Sequence, residues 1–303
     1  MHNKIAAVIV TYNRKNLLKK CVEHVLSQSI SNVDALIIDN ASTDGTNELV
    51  NQLFGTNERV HYVNTGANLG GAGGFSYGIR WAVEHGYEYL WIMDDDTIPE
   101  ADTLKEFVAS DKLLNGKYGF LASYVKWIDG TPCEMNVPGI SQEWRNNIAQ
   151  QFDHSMIRLD TASFVSIFIK ASTVQKVGLP IKEFFIWGDD IEYTKRISKN
   201  MPCYFVYRSQ VTHEMASNKA TYITNADSDR LNRFEKLYRN RYYIAKHHGS
   251  KREQLLFWTG IKNTIRDILK SDCKDKMRRC GIVIKSSLKG LRFNPEIEYV
   301  KKG

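Results

Sequence analysis

Tyr89-Leu90-Trp91-Ile92-Met93-Asp94-Asp95-Asp96 sets an apolar, aromatic-bearing run directly against three carboxylates. The run has the length and composition of a buried strand. Ionised carboxylates this close repel one another, so at a strand end they point to a cation among them, and a divalent metal carrying a phosphorylated substrate is the expected occupant. A solvated acidic turn is the competing reading, because Thr97-Ile98-Pro99 also suits a loop.

Upstream of this stretch, strand-like and helix-like segments alternate, as in a parallel α/β sheet. Lys4 to Val10 reads as a first strand, and Leu17, Leu18, Cys21, Val22, Val25 and Leu26 recur at helical spacing after it. Ala35 to Ile38 and Val60 to Val63 read as further strands, with a helix opened by Asp44-Gly45-Thr46 between them. Ligands of open α/β sheets bind at the carboxyl ends of strands. Those ends carry Thr11-Tyr12-Asn13-Arg14, Asp39-Asn40, Asn64-Thr65-Gly66 and the aspartates.

Asn68-Leu69-Gly70-Gly71-Ala72-Gly73-Gly74-Phe75 reads as a glycine-rich loop before a helix from about Phe75 to Glu84. Such a loop brings backbone N–H groups close to a phosphate or sugar; close helix-to-sheet packing is the structural alternative. It is not a dinucleotide fingerprint, which would follow the first strand and needs a glycine where Ser76 stands. The segment from Lys126 to about Asp160 reads as loops over or beside the site, followed by a buried strand at Phe164 to Ile169.

A second acidic cluster, Trp187-Gly188-Asp189-Asp190-Ile191-Glu192, looks like a helix start. Paired with the first cluster it supplies a candidate general base, since a neighbouring acid raises a carboxylate's basicity. His213, after the strand-like Cys203 to Tyr207, is a suitable partner for carboxylates around Mn²⁺ or a similar ion.

Taken together, V-T-Y-N-R, I-I-D-N-A-S-T-D-G-T, N-L-G-G-A-G-G-F, W-I-M-D-D-D-T, F-I-W-G-D-D-I-E-Y and the later His resemble the family 2 GT-A glycosyltransferases over about residues 4 to 215. Within that family they are most similar to bacterial galactofuranosyltransferases, which use UDP-galactofuranose. The resemblance implies a mostly parallel α/β sheet flanked by helices. It places Thr11, Arg14 and Asp39 at the nucleotide, with Asp39 on the uracil. Asn68, Gly70 and Gly71 would border the donor, with Asp95 on the donor sugar or ribose. Asp94, Asp96 and His213 would hold Mn²⁺ or Mg²⁺. Asp190 would be the base, Asp189 its neighbour and Trp187 an acceptor contact. Gly188 between Trp187 and the acid pair departs from the galactofuranosyltransferase pattern.

The implied reaction is inverting, metal-dependent transfer onto a glycan hydroxyl in cell-surface polysaccharide synthesis, with a lipid-linked acceptor. A rhamnosyltransferase using dTDP-rhamnose shares the layout. A non-catalytic nucleotide- or carbohydrate-binding protein is compatible with the fold but has no need of both acid clusters.

The chain has 303 residues, 43% hydrophobic and 25% charged, which is globular composition. Its five scattered cysteines suggest neither disulfides nor a zinc site. No apolar stretch reaches the roughly 18 to 20 residues that span a bilayer, and Ile5 to Val10 is too short for a secretory core. The expected location is therefore cytoplasmic, peripheral at the inner face of the plasma membrane.

Residues 1–229 carry 21 Lys/Arg against 27 Asp/Glu, and residues 230–303 carry 20 against 7. Residues 1–226 are expected to form the catalytic domain and 227–303 a basic helical module. In the module, Lys276, Arg278, Arg279, Lys285, Lys289 and Arg292 interleave with Phe257, Trp258, Ile282, Val283 and Ile284. That pattern suits an anionic membrane surface rather than nucleic acid; a packed cap or a homo-oligomer interface is the alternative.

Overall fold

The computed structural model describes residues 4–146, 148–228 and 230–300. Residues 1–3 and 301–303, the outer ends of the two expected segments, lie outside it, as do residues 147 and 229. The elements in order are β1 (Ile5–Thr11), α1 (Lys15–Leu26), β2 (Val33–Asp39), α2 (Thr46–Phe54), β3 (Val60–Asn64), α3 (Gly70–Glu84), β4 (Tyr89–Asp94), β5 (Thr97–Pro99), α4 (Thr103–Leu113), β6 (Phe120–Trp127), β7 (Gly139–Ile140), α5 (Ile148–Asp153), β8 (Met156–Thr161), β9 (Ile167–Lys170), α6 (Ala171–Val177), α7 (Asp189–Ser198) and β10 (Cys203–His213). Helices α8 (Leu231–His248), α9 (Lys251–Lys270) and α10 (Lys276–Arg292) follow.

One sheet runs β3-β2-β1-β4-β9-β6-β10-β8-β7, with β5 on β10. Strands β1 to β4 are mutually parallel where they pair. Beyond them the sheet is mixed: β9 lies antiparallel between β4 and β6, and β8 antiparallel to β10. Period-2 alternation sorts side chains into two layers. Ala6, Val8 and Val10 face one core, and Ile5, Ala7 and Ile9 the other. In β9, Ile167 and Ile169 fall on the first side and Phe168 on the second. Each fully buried Val, Ile or Phe among them contributes about 1.5–3 kcal/mol.

The glycine-rich segment is not a loop leading to Phe75. Helix α3 begins at Gly70 and takes in all four glycines. A Cβ on Gly74 would stand 2.6 Å from Val10 Cγ1, and one on Gly78 2.6 Å from Val8 Cγ1 and 2.7 Å from Ile38 Cγ1. The helix lies so close to the sheet that packing outweighs glycine's poor helix propensity. The irregular segment after Lys126 contains short elements, including β7, α5 and β8, at the far edge of the sheet.

The C-terminal helices are packed on the sheet layer rather than suspended from it. Helix α8 lies against α7 and α10 against α8, and the extended chain after α10 returns to the main core. There Glu298 O accepts from Leu179 N at 2.8 Å, the Glu298 carboxylate pairs with Arg80 and Lys182, and Val300 enters the main core.

This packing corrects which side chains face outward. Phe257, Trp258, Ile282 and Val283 belong to the helical layer's own core. Arg279 is buried and donates to the carbonyls of Lys274, Ile223 and Ala226. The exposed apolar residues of α10 are instead Met277, Ile284, Leu288 and Leu291. No helix among the described residues is long and apolar enough to cross a membrane.

Candidate active site

Strand register builds the site. In the parallel pairs, Val10 aligns with Asp94 and Thr11 with Asp39, so the carboxyl ends of β1, β2 and β4 stand in a row. Asp95 and Asp96 turn the chain back into β5, whose Thr97 lies opposite His213 at the end of β10. That pairing carries a histidine over a hundred residues distant onto the aspartates.

Ligand-type atoms of Asp94, Asp96 and His213 lie within 4.8 Å of one another. His213 Nε2 is 2.9 Å from Asp96 Oδ1, while Nδ1 is 2.8 Å from Asn136 Oδ1. Asn136 orients the ring so that Nε2 faces the carboxylates, as an outer-shell partner of a metal-bound histidine does. Arg14 Nη1 donates to Asp95 Oδ1 at 3.1 Å and to Asp96 Oδ2 at 2.6 Å, and Thr11 Oγ1 donates to Asp95 Oδ2 at 2.7 Å.

Burial, then the charge of Asp96, pushes Asp94 up to about 7 against the pull of His213. Burial likewise lifts Asp95 to about 6, opposed chiefly by Arg14. Burial also works against ionisation of Asp96, but His213 and Arg14 outweigh it and hold Asp96 below the usual carboxylate range. The Asp94 carboxylate engages no hydrogen-bond donor among the described residues, although its two neighbours are fully engaged. A crowded set of two carboxylates and one oriented imidazole, with one carboxylate unpaired, fits a divalent cation.

The acid pair opens α7. Gly188 is its N-cap at φ 90°, and Ile191 N donates to Asp190 Oδ1 at 2.8 Å. Burial raises Asp190 to about 6. Asp189 is raised well above the usual range by burial, by Asp190 and, further off, by Asp94. The two acid clusters, far apart in sequence, are therefore electrostatic neighbours. Below them, buried Glu192 is held by Arg196 (2.8 and 3.0 Å) and by His248 of α8 (2.9 Å), and Arg196 also donates to the carbonyls of Val177 and Leu179.

Other expected site residues have different surroundings. Asp39 is fully buried with both oxygens engaged: Oδ1 accepts from Ser42 N and Oγ, and Oδ2 from Tyr62 Oη at 2.5 Å. As placed it holds the turn after β2, and one acceptor position on Oδ2 is left over. Asn68 Oδ1 accepts from Gly70 N at 2.9 Å, and a Cβ on Gly70 would collide with Phe185 O, so both shape the start of α3. Asn68 is exposed, and a Cβ on Gly71 would meet nothing within 4 Å. Trp187 is half-buried against Phe234, ring centroids 5.1 Å apart, within the helical layer's core. Phe185, 38% exposed, is the aromatic left open before the acid pair. Asn136, His248 and Asn240 take part in this region without any local sequence pattern that singles them out.

The sheet, its helical flanks and the strand-end acids have the GT-A fold. Two solved structures share it: S. aureus TarS 1-349 (TM-score 0.54, 15% identity, covering 95% of this chain and 89% of that one) and GalNAc-T7 with UDP, GalNAc and Mn²⁺ (TM-score 0.61, 15% identity, covering 93% and 57%). Residues 6–131 match the family model of Glycosyl transferase family 2. The chain is also similar to the galactofuranosyltransferase GlfT1 of Mycolicibacterium smegmatis, 27% identical over 268 residues that cover 82% of this chain and 85% of the relative.

Proposed function

We propose that this family 2 glycosyltransferase is an inverting, metal-dependent galactofuranosyltransferase that moves galactofuranose from UDP-galactofuranose onto a hydroxyl of a glycan in cell-surface polysaccharide synthesis. The observations that carry the chemistry are the metal-ligand geometry of Asp94, Asp96 and His213 and the buried acid pair opening α7, whose Asp190 is raised to about 6. The choice of donor rests on the similarity to the mycobacterial-type galactofuranosyltransferase.

Asp94, Asp96 and His213 are the residues that would hold Mn²⁺ or Mg²⁺, which when bound neutralises the diphosphate and stabilises charge on the leaving nucleotide. Thr11 and Arg14 fix Asp95, which is assigned to the donor sugar or ribose. Asp189 lies beside Asp190, which is assigned to take the proton of the acceptor hydroxyl as that oxygen attacks the anomeric carbon. A single displacement inverts that centre. Incubation with UDP-galactofuranose, dTDP-rhamnose or UDP-hexopyranoses, with nucleotide release followed for each, tests the reading: release from UDP-galactofuranose alone supports it, and release only from dTDP-rhamnose replaces it.

The exposed stripe Met277, Ile284, Leu288 and Leu291 recurs at helical spacing along α10, with Arg278, Lys285, Lys289 and Arg292 beside it. This face is assigned to an anionic bilayer, which would bring the site to a lipid-linked acceptor. Co-sedimentation with phosphatidylglycerol vesicles should fall sharply in Ile284→Glu/Leu288→Glu; unchanged binding would remove the assignment.

A further inference from the structure

The segment joining the 3-10 turn Lys182–Phe184 to α7 has an unusual backbone. Phe185 (φ 64°), Trp187 (φ 64°) and Gly188 (φ 90°) all lie on the left-handed side, and two of them are aromatic. Bulky side chains adopt such conformations only where their surroundings over-determine them, and such places cluster at functional sites.

The surroundings come from α8. Asn240 is fully buried, and its Nδ2 faces three carbonyls of this segment: Trp187 O at 2.9 Å, Phe184 O at 3.0 Å and Ile186 O at 3.2 Å. Its Oδ1 accepts from Arg239 Nη2 and Nε at 2.9 and 3.0 Å, which fixes the amide's orientation, and Arg239 Nη2 also donates to Glu183 O at 2.6 Å. From the opposite side, Ala72 N donates to Phe185 O at 3.2 Å. The strap is thus pinned between the first turn of α3 and the middle of α8. It ends at Gly188, whose carbonyl accepts from Glu192 N at 2.9 Å in the first turn of α7. Asp189 and Asp190 follow directly.

We propose that Asn240 is a positioning residue for the acid pair: from the C-terminal helical layer it sets the backbone of residues 184–188 and so aims Asp189 and Asp190 at the acceptor hydroxyl. The proposal rests on the reading of Asp190 as the base. It makes the helical layer part of the catalytic apparatus, because the amide that faces these three carbonyls is supplied from there. A side chain shorter than asparagine leaves those carbonyls without a donor, and an aspartate sets a further acceptor against them.

Asn240→Asp and Asn240→Ala separate positioning from general stability. The expected result is a fall in kcat of about 100-fold, the scale of misplacing a reacting group by about 1 Å, with the donor KM within about 3-fold of wild type. Hydrogen exchange should quicken in residues 184–192. Ile268→Ala, a core truncation elsewhere in the helical layer, should lower Tm yet leave kcat per folded molecule unchanged. Should the Asn240 variants fail to fold, Arg239→Gln, which removes donors from Asn240 Oδ1, should show the same kcat loss in smaller measure. Unchanged kcat per folded molecule together with unchanged exchange in 184–192 would overturn the proposal. If the wild type transfers no sugar from any donor, the reading of Asp190 fails; exchange in 184–192 still decides whether Asn240 holds the strap.

Discussion

His213 Nε2 lies 2.9 Å from Asp96 Oδ1 because β5 and β10 pair antiparallel with Thr97 opposite His213. This one register joins the acidic turn to the last strand of the sheet. The opposite ring nitrogen faces Asn136, so the imidazole is oriented before any ligand arrives.

Removing a member of this set should abolish cation binding before it disturbs the fold. Asp94→Asn deletes a carboxylate that has no hydrogen-bond partner among the described residues. It should lower Mn²⁺ affinity at least tenfold by calorimetry while leaving Tm unchanged or higher, since it relieves repulsion between buried carboxylates. Asn136→Ala should weaken Mn²⁺ binding by about 10- to 100-fold through loss of ring orientation.

The acid pair sets the pH dependence. Asp190 is raised to about 6, mainly by burial, and a base must be deprotonated to act. Activity should therefore fall as pH drops through about 6 and level off above it. Asp190→Asn should lose about 10³-fold or more of kcat and, with it, this acid limb, while UDP affinity measured by titration stays near wild type. Turnover within a few fold of wild type would deny Asp190 the role.

The glycines of α3 divide into packing and open positions, and alanine distinguishes them. Gly74→Ala and Gly78→Ala force a Cβ against Val10 or Val8 and should cost about 1–3 kcal/mol in denaturant unfolding. Gly71→Ala meets nothing within 4 Å. It should leave stability nearly unchanged and raise the donor KM instead. Equal stability losses at Gly71 and Gly74 would contradict the geometry.

Glu192 links α7 to α8 through His248 and pairs within α7 with Arg196. Burial opposes its ionisation, but these partners hold it below the usual range, so its contribution to stability is present above its unfolded pKa of about 4.5 and is lost as pH falls through the lower folded value. Arg196→Leu breaks the buried pair and should cost about 3–5 kcal/mol at neutral pH. Chemical denaturation of both proteins at pH 7 checks this.

Much of the site is legible in the sequence where a local pattern carries it. The apolar run before Asp94 announces a strand, and the acids of Asp189-Asp190 announce a helix start. Asn136, Asn240 and His248 are illegible because each acts on residues more than fifty positions away and leaves no periodicity of its own. The start of α3 is hidden since glycine reads as a helix breaker, whereas here its missing side chain admits the sheet. On α9 and α10, alternating basic and apolar residues do not say which face a neighbouring helix covers; Trp258 and Arg279 turn inward, and Met277 and Leu288 outward. Asp39 stands at the expected strand end and Tyr62 on an expected strand, but nothing local announces the hydrogen bonds of Asp39 to Ser42 and Tyr62.

The most direct test of the central claim follows UDP-galactofuranose by NMR with Mn²⁺ and a panel of glycan acceptors, comparing wild type with Asp190→Asn. The account predicts UDP release with a new inverted galactofuranosyl linkage in the wild type, and intact donor with Asp190→Asn. An intact donor with both proteins, while dTDP-rhamnose is consumed by the wild type, would contradict the donor assignment; equal linkage formation by both would contradict the mechanism.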